Sequence, residues 1–343
     1  MDAMPPDNGD QPGTGGPEPE WWDRLHGRAP ALLVLLIVVI GVVAGSELFS
    51  SSSPRATPAA TRPGSRAVST ERTGNNPSTE GTPLDSSLFA PGSCMSFAPT
   101  HGNRDETVFL DAGHGGVDPG AVGHTTSGKT VYEENLTLPV ELDTMALLRA
   151  DGYRVVVSRT TGGPVAIPKP GAISGSIYTV QGAHDEVAAR DICANLAKAD
   201  VLIGIYFDAG TSTLDAGSIT SYDTVRPFSA ANHRLANLLQ HTVLDAMNAR
   251  GWGIPNGGVN SDIYEGGPAL SSGAASYDHL MLLGPAKAGF FSTPSEMPGA
   301  VIEPLFATDP FEATIADSGT GQHVIAGGIA KTVQEFLSQA GTT

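Results

Sequence analysis

Polar side chains accompany three short apolar runs of the sequence, each long enough to form a buried strand. Asp111 and His114 come after the first run, Tyr206 and Asp208 come at the end of the second, and Glu303 lies inside the third. Ligands of open α/β sheets gather beyond the carboxyl ends of the strands, so we expect these side chains to lie close together. Their convergence is a first indication of a site.

His114 and Glu133 have the residue types of a zinc site. His114 lies in a glycine-rich turn that leaves room around the imidazole, and Glu133 begins the next predicted helix. An imidazole and a carboxylate are suitable ligands for Zn²⁺. A hydrolytic zinc site also needs a base. Glu303 is a charged residue in an apolar strand, where such a group is costly unless it is paired or functional. A salt bridge with an arginine is the alternative role for Glu303.

The elements that must position these residues alternate between strands and helices. Apolar, β-branched runs predict strands, and apolar residues at helical spacing predict helices. The predicted strands are 107–111, 154–158, 201–206, 217–222 and 300–305, and the predicted helices are 136–150, 187–199, 230–249 and 324–338. Such alternation is typical of a parallel sheet. We therefore predict an α/β fold, a three-layer sandwich with a mostly parallel central sheet and helices on both faces. The glycine-rich stretch 162–182 is long for a connection and is a candidate lid.

Five sequence segments, in order along the chain, carry a family resemblance. They are Val-Phe-Leu-Asp-Ala-Gly-His-Gly-Gly at 108–116 with Asp-Pro-Gly-Ala at 118–121, Glu-Glu-Asn-Leu-Thr-Leu at 133–138, the strand at 154–159, the helix with Arg190, Asn195 and Asp200, and Met-Pro-Gly-Ala-Val-Ile-Glu at 297–303. These segments resemble the zinc-dependent N-acetylmuramoyl-L-alanine amidases, which trim bacterial peptidoglycan. The resemblance covers about Val108 to Leu337.

The resemblance implies an activity, a cofactor and roles for individual residues. It implies Zn²⁺ held by His114, Glu133 and a third ligand, with peptidoglycan as the substrate. Zinc would lower the pKa of a bound water and polarise the lactyl carbonyl of the muramoyl-alanine amide. Glu303 would be the catalytic base, taking the proton of the water and giving it to the departing alanine nitrogen. For Arg190 we favour a structural ion pair over a role in substrate binding.

Tyr206 stands where the resembled family has its second ligand histidine. The family motif is Ser-Ile-His-Ala-Asn-Ala or close to it, whereas residues 204–209 are Gly-Ile-Tyr-Phe-Asp-Ala. Tyr206 could be the third metal ligand as a phenolate, another histidine such as His124 or His279 could replace it, or the site could bind zinc weakly or not at all. Tyr206 could also be an ordinary strand aromatic. The alternative function is an impaired amidase-fold domain that binds peptidoglycan or regulates cell-wall hydrolysis.

The charge of the chain argues against nucleic acid as a partner. The sequence has 19 Lys and Arg against 36 Asp and Glu, a formal net charge of −17. A protein that binds a phosphate backbone needs the opposite sign. We expect a monomer that acts on or binds the cell wall.

The N-terminal part predicts a membrane anchor followed by a tether. Residues 29–48 contain an uncharged apolar stretch, predicted to be a single transmembrane signal anchor. Two arginines precede this stretch, so residues 1–28 are predicted to be a cytoplasmic tail. A cleaved signal peptide is the alternative. Residues 49–93, rich in Ser, Thr, Pro, Gly and Ala, predict a disordered linker, and residues 94–343 an amidase-like catalytic domain outside the cell membrane.

The two cysteines of the chain are Cys94 and Cys193. Because export is predicted, a disulfide between them is expected, tying the entrance of the domain to a helix. Two free buried thiols are the alternative.

Overall fold

The computed structural model describes residues 81–264, 277, 279–288 and 292–340. The strands of this part are β1 Thr82–Pro83, β2 Ser93–Phe97, β3 Thr107–Ala112, β4 Val122–His124, β5 Thr130–Tyr132, β6 Arg154–Arg159, β7 Ile173–Ser174, β8 Ile177–Tyr178, β9 Val201–Ile205, β10 Ser218–Tyr222, β11 Asn256–Ser261 and β12 Gly299–Glu303. Its helices are α1 Glu133–Ala150, α2 Val180–Ala197, α3 Ser229–Asn248, α4 Pro310–Ala316 and α5 Gly319–Ala340, with a 3₁₀ turn at Asp262–Tyr264.

The central sheet has eight strands in the order β1-β2-β6-β3-β9-β12-β10-β11. Strands β6, β3, β9 and β12 are parallel to one another. Strand β2 runs antiparallel beside β6, and β10 runs antiparallel beside β12. Continuous apolar runs such as that of β9 suit this architecture, because a parallel sheet is covered on both faces. The mostly parallel sheet is confirmed.

Helices cover both faces of the sheet, as predicted. Helices α1, α3 and α5 pack on one face, and α2 packs on the other together with residues 280–283. Successive strand residues point to opposite faces. Val108 and Leu110 of β3 therefore lie in the first core, while Phe109 lies in the second.

The predicted helix boundaries differ from the observed ones mainly at the start of α2. This helix begins at Val180, where the prediction began at 187, because the Thr179 side chain accepts a hydrogen bond from the backbone N–H of Gly182 and caps the helix. The first turn of α2 and the β7–β8 hairpin thus occupy the end of the stretch 162–182. A lid role for this stretch stays a prediction.

The predicted linker 49–93 extends too far. Strand β1 pairs with β2, and Phe89 and Ala90 are buried, so residues 82–93 belong to the fold. Few large apolar residues occur among the Ser, Pro and Gly of this segment, so composition alone could not show it. The predicted tail 1–28 and anchor 29–48 lie outside the described residues. Among the helices that are described, none has the length and apolar character needed to cross a membrane.

The predicted disulfide is confirmed. Cys94 of β2 and Cys193 of α2 are bonded, with their Cα atoms 5.6 Å apart and a sequence separation of 99. The bond joins an edge region of the sheet to the helix on its second face.

Candidate active site

The loop after β3 holds His114 in a backbone conformation that few residues adopt. His114 has φ 64°, and the glycines at 115 and 116 also have positive φ. Left-handed backbone is uncommon outside glycine, although histidine is among the residues that tolerate it. Gly113 leaves space for the next strand, because a Cβ there would lie 2.2 Å from the ring of Tyr206. The loop therefore rests directly on Tyr206.

His114 lies between two carboxylates. Its Nδ1 is 2.9 Å from Oδ2 of Asp118, and its Nε2 is 3.0 Å from Oε2 of Glu133. Glu133 begins α1 and is fixed by two backbone N–H groups: that of Phe207 donates to Oε1 and that of Ala121 to Oε2, each at 2.9 Å. The structure thus brings together the first two predicted ligands.

The charges around His114 stabilise a cation at this point. Burial by itself lowers the pKa of the imidazole, but the carboxylates of Glu133 and Asp118 outweigh burial and raise the pKa to about 10. Burial raises the pKa of Asp118, but His114, the backbone N–H of Gly120 and the charge of Arg190 together outweigh burial, so the pKa of this carboxyl lies below its usual value.

The pair of His114 and Glu133 fits a zinc ion. A hydrogen on Nδ1 that faces Asp118 leaves the lone pair of Nε2 directed at Glu133, so a proton or a cation must lie between the two atoms. Zinc bonds to nitrogen and oxygen of about 2.0 to 2.2 Å would hold these atoms at roughly their observed separation. Asp118 supplies the outer carboxylate that orients a metal-bound imidazole.

Tyr206 belongs to a buried network beneath the loop. Its hydroxyl donates to Oδ2 of Asp111 at 2.9 Å, and Nη1 of Arg190 donates to Oδ1 of the same carboxylate at 2.5 Å. Arg190 also donates to the carbonyl of His114 at 2.7 Å and pairs with Glu186. The structural ion-pair role expected of Arg190 is confirmed.

This network opposes ionisation of Tyr206. Burial and the charge of Asp111 raise the pKa of the hydroxyl well above its usual value of 10. Ligation as a phenolate would require the hydroxyl to leave Asp111, so the ligand role of Tyr206 stays a prediction. The ring remains close to the site, with its centroid 5.6 Å from that of His114.

Glu303 ends β12 at the same edge of the sheet. Ile302 pairs with Ile205, and the backbone N–H of Tyr206 donates to the carbonyl of Ile302, so Glu303 follows at the level of Tyr206. The side chain of Glu303 is half-buried and, by alternation, on the same face as Val301. Asp208 lies nearby, with its backbone hydrogen-bonded to that of Leu305 and Ala307.

The two substitute histidines lie elsewhere. His124 is exposed on β4, and His279 contacts Asp223 and Asp262. Within the described residues, no hydrogen bond or ion pair joins either histidine to His114 or Glu133.

Comparison with known proteins identifies the family. Residues 108–335, more than half of the chain, match the model of the family Amidase_3, described as N-acetylmuramoyl-L-alanine amidase. The chain belongs to this amidase family. The site residues His114, Glu133, Tyr206 and Glu303 all lie within the matched range.

Two curated relatives carry the amidase name. N-acetylmuramoyl-L-alanine amidase LytC of Bacillus subtilis is 31% identical over 150 residues, which are 43% of this chain and 25% of LytC. N-acetylmuramoyl-L-alanine amidase AmiC of Neisseria meningitidis is 25% identical over 253 residues, which are 68% of this chain and 53% of AmiC. The chain thus spans a quarter of the length of LytC and about half of the length of AmiC.

A solved structure shares the fold. The CwlD amidase from Clostridioides difficile, solved in complex with the GerS lipoprotein, gives a TM-score of 0.51 at 21% identity and covers 68% of this chain and 99% of that chain. At this identity the likeness supports the α/β architecture alone.

Sequence reasoning missed the role of Asp118. Its carboxylate lies four residues after His114 and contacts Nδ1, a position that only the turn between them creates. The spacing of a histidine and an aspartate across a glycine-rich turn is the signal that could have indicated it. The pairing of Asp111 with both Arg190 and Tyr206 was also missed, because the partners come from distant segments.

Proposed function

We propose that this chain is a peptidoglycan amidase that hydrolyses the amide bond between N-acetylmuramic acid and L-alanine. The observation that carries the proposal is the contact of His114 Nε2 with Glu133 Oε2, 3.0 Å apart at the carboxyl edge of the parallel strands. This position is where open α/β sheets bind their ligands. Membership of the amidase family supports the choice of reaction.

His114 and Glu133 would hold a zinc ion. Zinc at this place supplies a Lewis acid that polarises the scissile carbonyl and makes a nearby water more acidic. Asp118 keeps the imidazole of His114 in the tautomer with its lone pair on Nε2. The backbone N–H groups of Ala121 and Phe207 hold the Glu133 carboxylate in a fixed orientation.

Glu303 would move the proton. As water attacks the lactyl carbonyl, its oxygen forms a bond to carbon and its proton passes to the Glu303 carboxylate. The carbon–nitrogen bond then breaks, and the same proton passes to the alanine nitrogen, which leaves as an amine. The place of Glu303 at the end of β12, at the level of Tyr206, supports this role.

Arg190 and Asp111 would position the site from below. Arg190 is fully buried and holds both the Asp111 carboxylate and the backbone carbonyl of His114. The strained loop conformation of His114 therefore has a rigid support. Such support matters because small displacements of reacting groups cost large factors in rate.

Four proteins test the proposal. The wild-type chain is expected to bind zinc and to release the peptide stem from muropeptide fragments. Glu133→Ala should lose that zinc and the activity, whereas Glu303→Gln should keep the zinc and lose at least about a hundredfold in kcat. Glu134→Ala, which changes the adjacent glutamate, is the matched control and should retain both. A wild-type chain that binds zinc at Glu133 but releases no stem peptide would refute the amidase assignment.

Binding of peptidoglycan without turnover is the second candidate function. The engagement of the Tyr206 hydroxyl by Asp111 favours it, because the pair of His114 and Glu133 then lacks a third ligand from this strand. Sedimentation of the chain with insoluble peptidoglycan, with no release of stem peptides, would support this candidate. Activity gained in Tyr206→His from an inert parent would mark the parent as an impaired amidase.

The cell-membrane location is also a proposal. The apolar stretch within residues 29–48 would anchor the chain as a single span, with the domain outside and monomeric. The disulfide between Cys94 and Cys193 supports an oxidising surrounding. Protease treatment of intact protoplasts should remove the domain, and its survival would contradict this placement.

A further inference from the structure

A second cluster of possible metal ligands lies away from His114. One atom each from Asp223, Asp262 and His279 lie within 4.8 Å of one another. Asp223 follows β10, Asp262 opens the 3₁₀ turn after β11, and His279 precedes residues 280–283 of the second core. Both carboxyl side chains are fully buried, and the imidazole is 13% exposed.

One imidazole nitrogen faces both carboxylates. Nδ1 of His279 is 3.0 Å from Oδ2 of Asp223 and 3.3 Å from Oδ2 of Asp262. A ring nitrogen carries at most one hydrogen, so it cannot donate fully to two acceptors. The hydrogen bonds of Nδ1 are made with the two carboxylate oxygens of Asp262. Oδ2 of Asp223 receives no hydrogen bond in the described structure, although it is buried and directed into the cluster.

In the described part of the chain, no hydrogen bond or ion pair joins a lysine or arginine side chain to Asp223. Its other oxygen, Oδ1, accepts the backbone N–H groups of Val225 and Arg226. The guanidinium of Arg226 donates to the backbone carbonyls of Leu283, Gly284 and Ser295. A buried carboxylate oxygen without a donor is costly, and a bound cation would remove that cost.

We propose that Asp223, Asp262 and His279 form a second metal site, selective for a divalent ion of the zinc type. The nitrogen-to-oxygen separations of 3.0 and 3.3 Å match the ligand spacing around an ion with bonds of about 2.0 to 2.2 Å. Two carboxylates and an imidazole suit zinc better than magnesium or calcium, which prefer oxygen ligands throughout. The site is independent of the proposed amidase reaction.

The metal would fasten the segment that covers β9. A Cβ on Gly204 would lie 2.9 Å from Leu282 and 3.3 Å from the ring of Tyr206, so Leu282 packs onto the strand beside Tyr206. His279 lies three residues before Leu282. An ion bound by His279 and by the aspartates at the ends of β10 and β11 would therefore hold residues 280–283 against β9 and stabilise the second core.

Zinc content of the full-length chain tests the proposal. The wild type, Glu133→Ala, Asp223→Asn and the double variant are equilibrated with zinc chloride, freed of excess metal and measured by elemental mass spectrometry. We expect about two zinc ions per chain in the wild type, about one in each single variant and none in the double variant. Each substitution removes a ligand from one of the two sites. Asn at 223 can still accept the N–H groups of Val225 and Arg226. Asp143→Asn, at an exposed aspartate paired with His323, is the matched control and should hold as much zinc as the wild type.

The outcomes separate the two sites. Equal zinc in Asp223→Asn and the wild type would overturn the second site and leave an imidazolium shared by two carboxylates. Loss of zinc in Asp223→Asn but not in Glu133→Ala would support the second site and refute the catalytic pair.

A measurement on the Glu133→Ala protein covers the case in which Asp223→Asn does not fold. Zinc at one hundred times the Kd should raise its melting temperature by about 5 to 10 °C. No rise at millimolar zinc would overturn the proposal.

Discussion

Replacement of Tyr206 by phenylalanine removes the hydroxyl and keeps the ring, so the role of the hydroxyl can be tested separately. The ring packs under Gly113 and against the edge of His114, and phenylalanine keeps those contacts. What is lost is the hydrogen bond to Oδ2 of Asp111. The variant therefore distinguishes a hydroxyl that hydrogen-bonds within the buried network from one that is a metal ligand.

The expected cost is that of one buried hydrogen bond to a charged acceptor. Such a bond contributes about 1.5 to 3 kcal/mol, and no cavity is formed because the ring stays. Arg190 still holds Oδ1 of Asp111, so the carboxylate remains paired. We expect the free energy of unfolding to fall by about 2 kcal/mol, with zinc binding at His114 and Glu133 unchanged.

Urea unfolding and zinc titration are the two assays. A fall in the urea midpoint at constant m-value shows the loss of stability. Affinity is measured by competition with a chromophoric chelator, with Asp223→Asn as the background so that one site is observed. If Tyr206→Phe stays folded but loses the zinc that Glu133 holds, then the hydroxyl is a ligand and our account of the network is wrong. Tyr206→His should bind zinc at least about tenfold more tightly, because an imidazole binds without first losing a proton from a raised pKa.

Three further perturbations test other parts of the structure. Burial raises the pKa of Glu141 from 4.5 to about 8, so the folded chain keeps a proton that the unfolded chain releases. The free energy of unfolding should then fall by up to about 1.4 kcal/mol per pH unit as pH rises between these values, and a Glu141→Gln variant that keeps this slope in urea titrations would contradict the assignment. Asp118→Asn should weaken zinc binding about 10- to 100-fold in chelator competition without unfolding the chain, and unchanged affinity would exclude a role in orienting His114. Serine at both Cys94 and Cys193 should lower the urea-derived stability by about 4 kcal/mol, given the 99-residue separation, and a loss below about 1 kcal/mol would refute this estimate.

The sequence predicted the interior of the sheet well and its margins poorly. The apolar runs of β3 and β9 are buried on both faces, and such runs are a strong signal. Strand β2 mixes serines with apolar residues and has no β-branched run, and β4 and β5, which form a separate pair, have three residues each, so their pairing depends on neighbours that local pattern does not reveal.

The candidate site was likewise predicted only in part from the sequence. His114 was predicted from its residue type and its position after a strand, and Glu133 from its residue type at the start of the next helix. The partners of Asp111 lie 79 and 95 residues away in sequence, so only the fold brings Arg190 and Tyr206 to it. The left-handed backbone of His114, which turns its side chain between Asp118 and Glu133, was likewise not visible from sequence.

Strand β10 runs antiparallel to β12, which places Asp223 and Glu303 at opposite ends of this strand pair. Ile219 pairs with Glu303, so Asp223 lies four residues along β10, roughly 13 Å from the proposed base. Substitutions more than about 7 to 10 Å apart usually have additive effects on stability. The free-energy change of a double variant at Asp223 and Glu303 should therefore be close to the sum of the single changes.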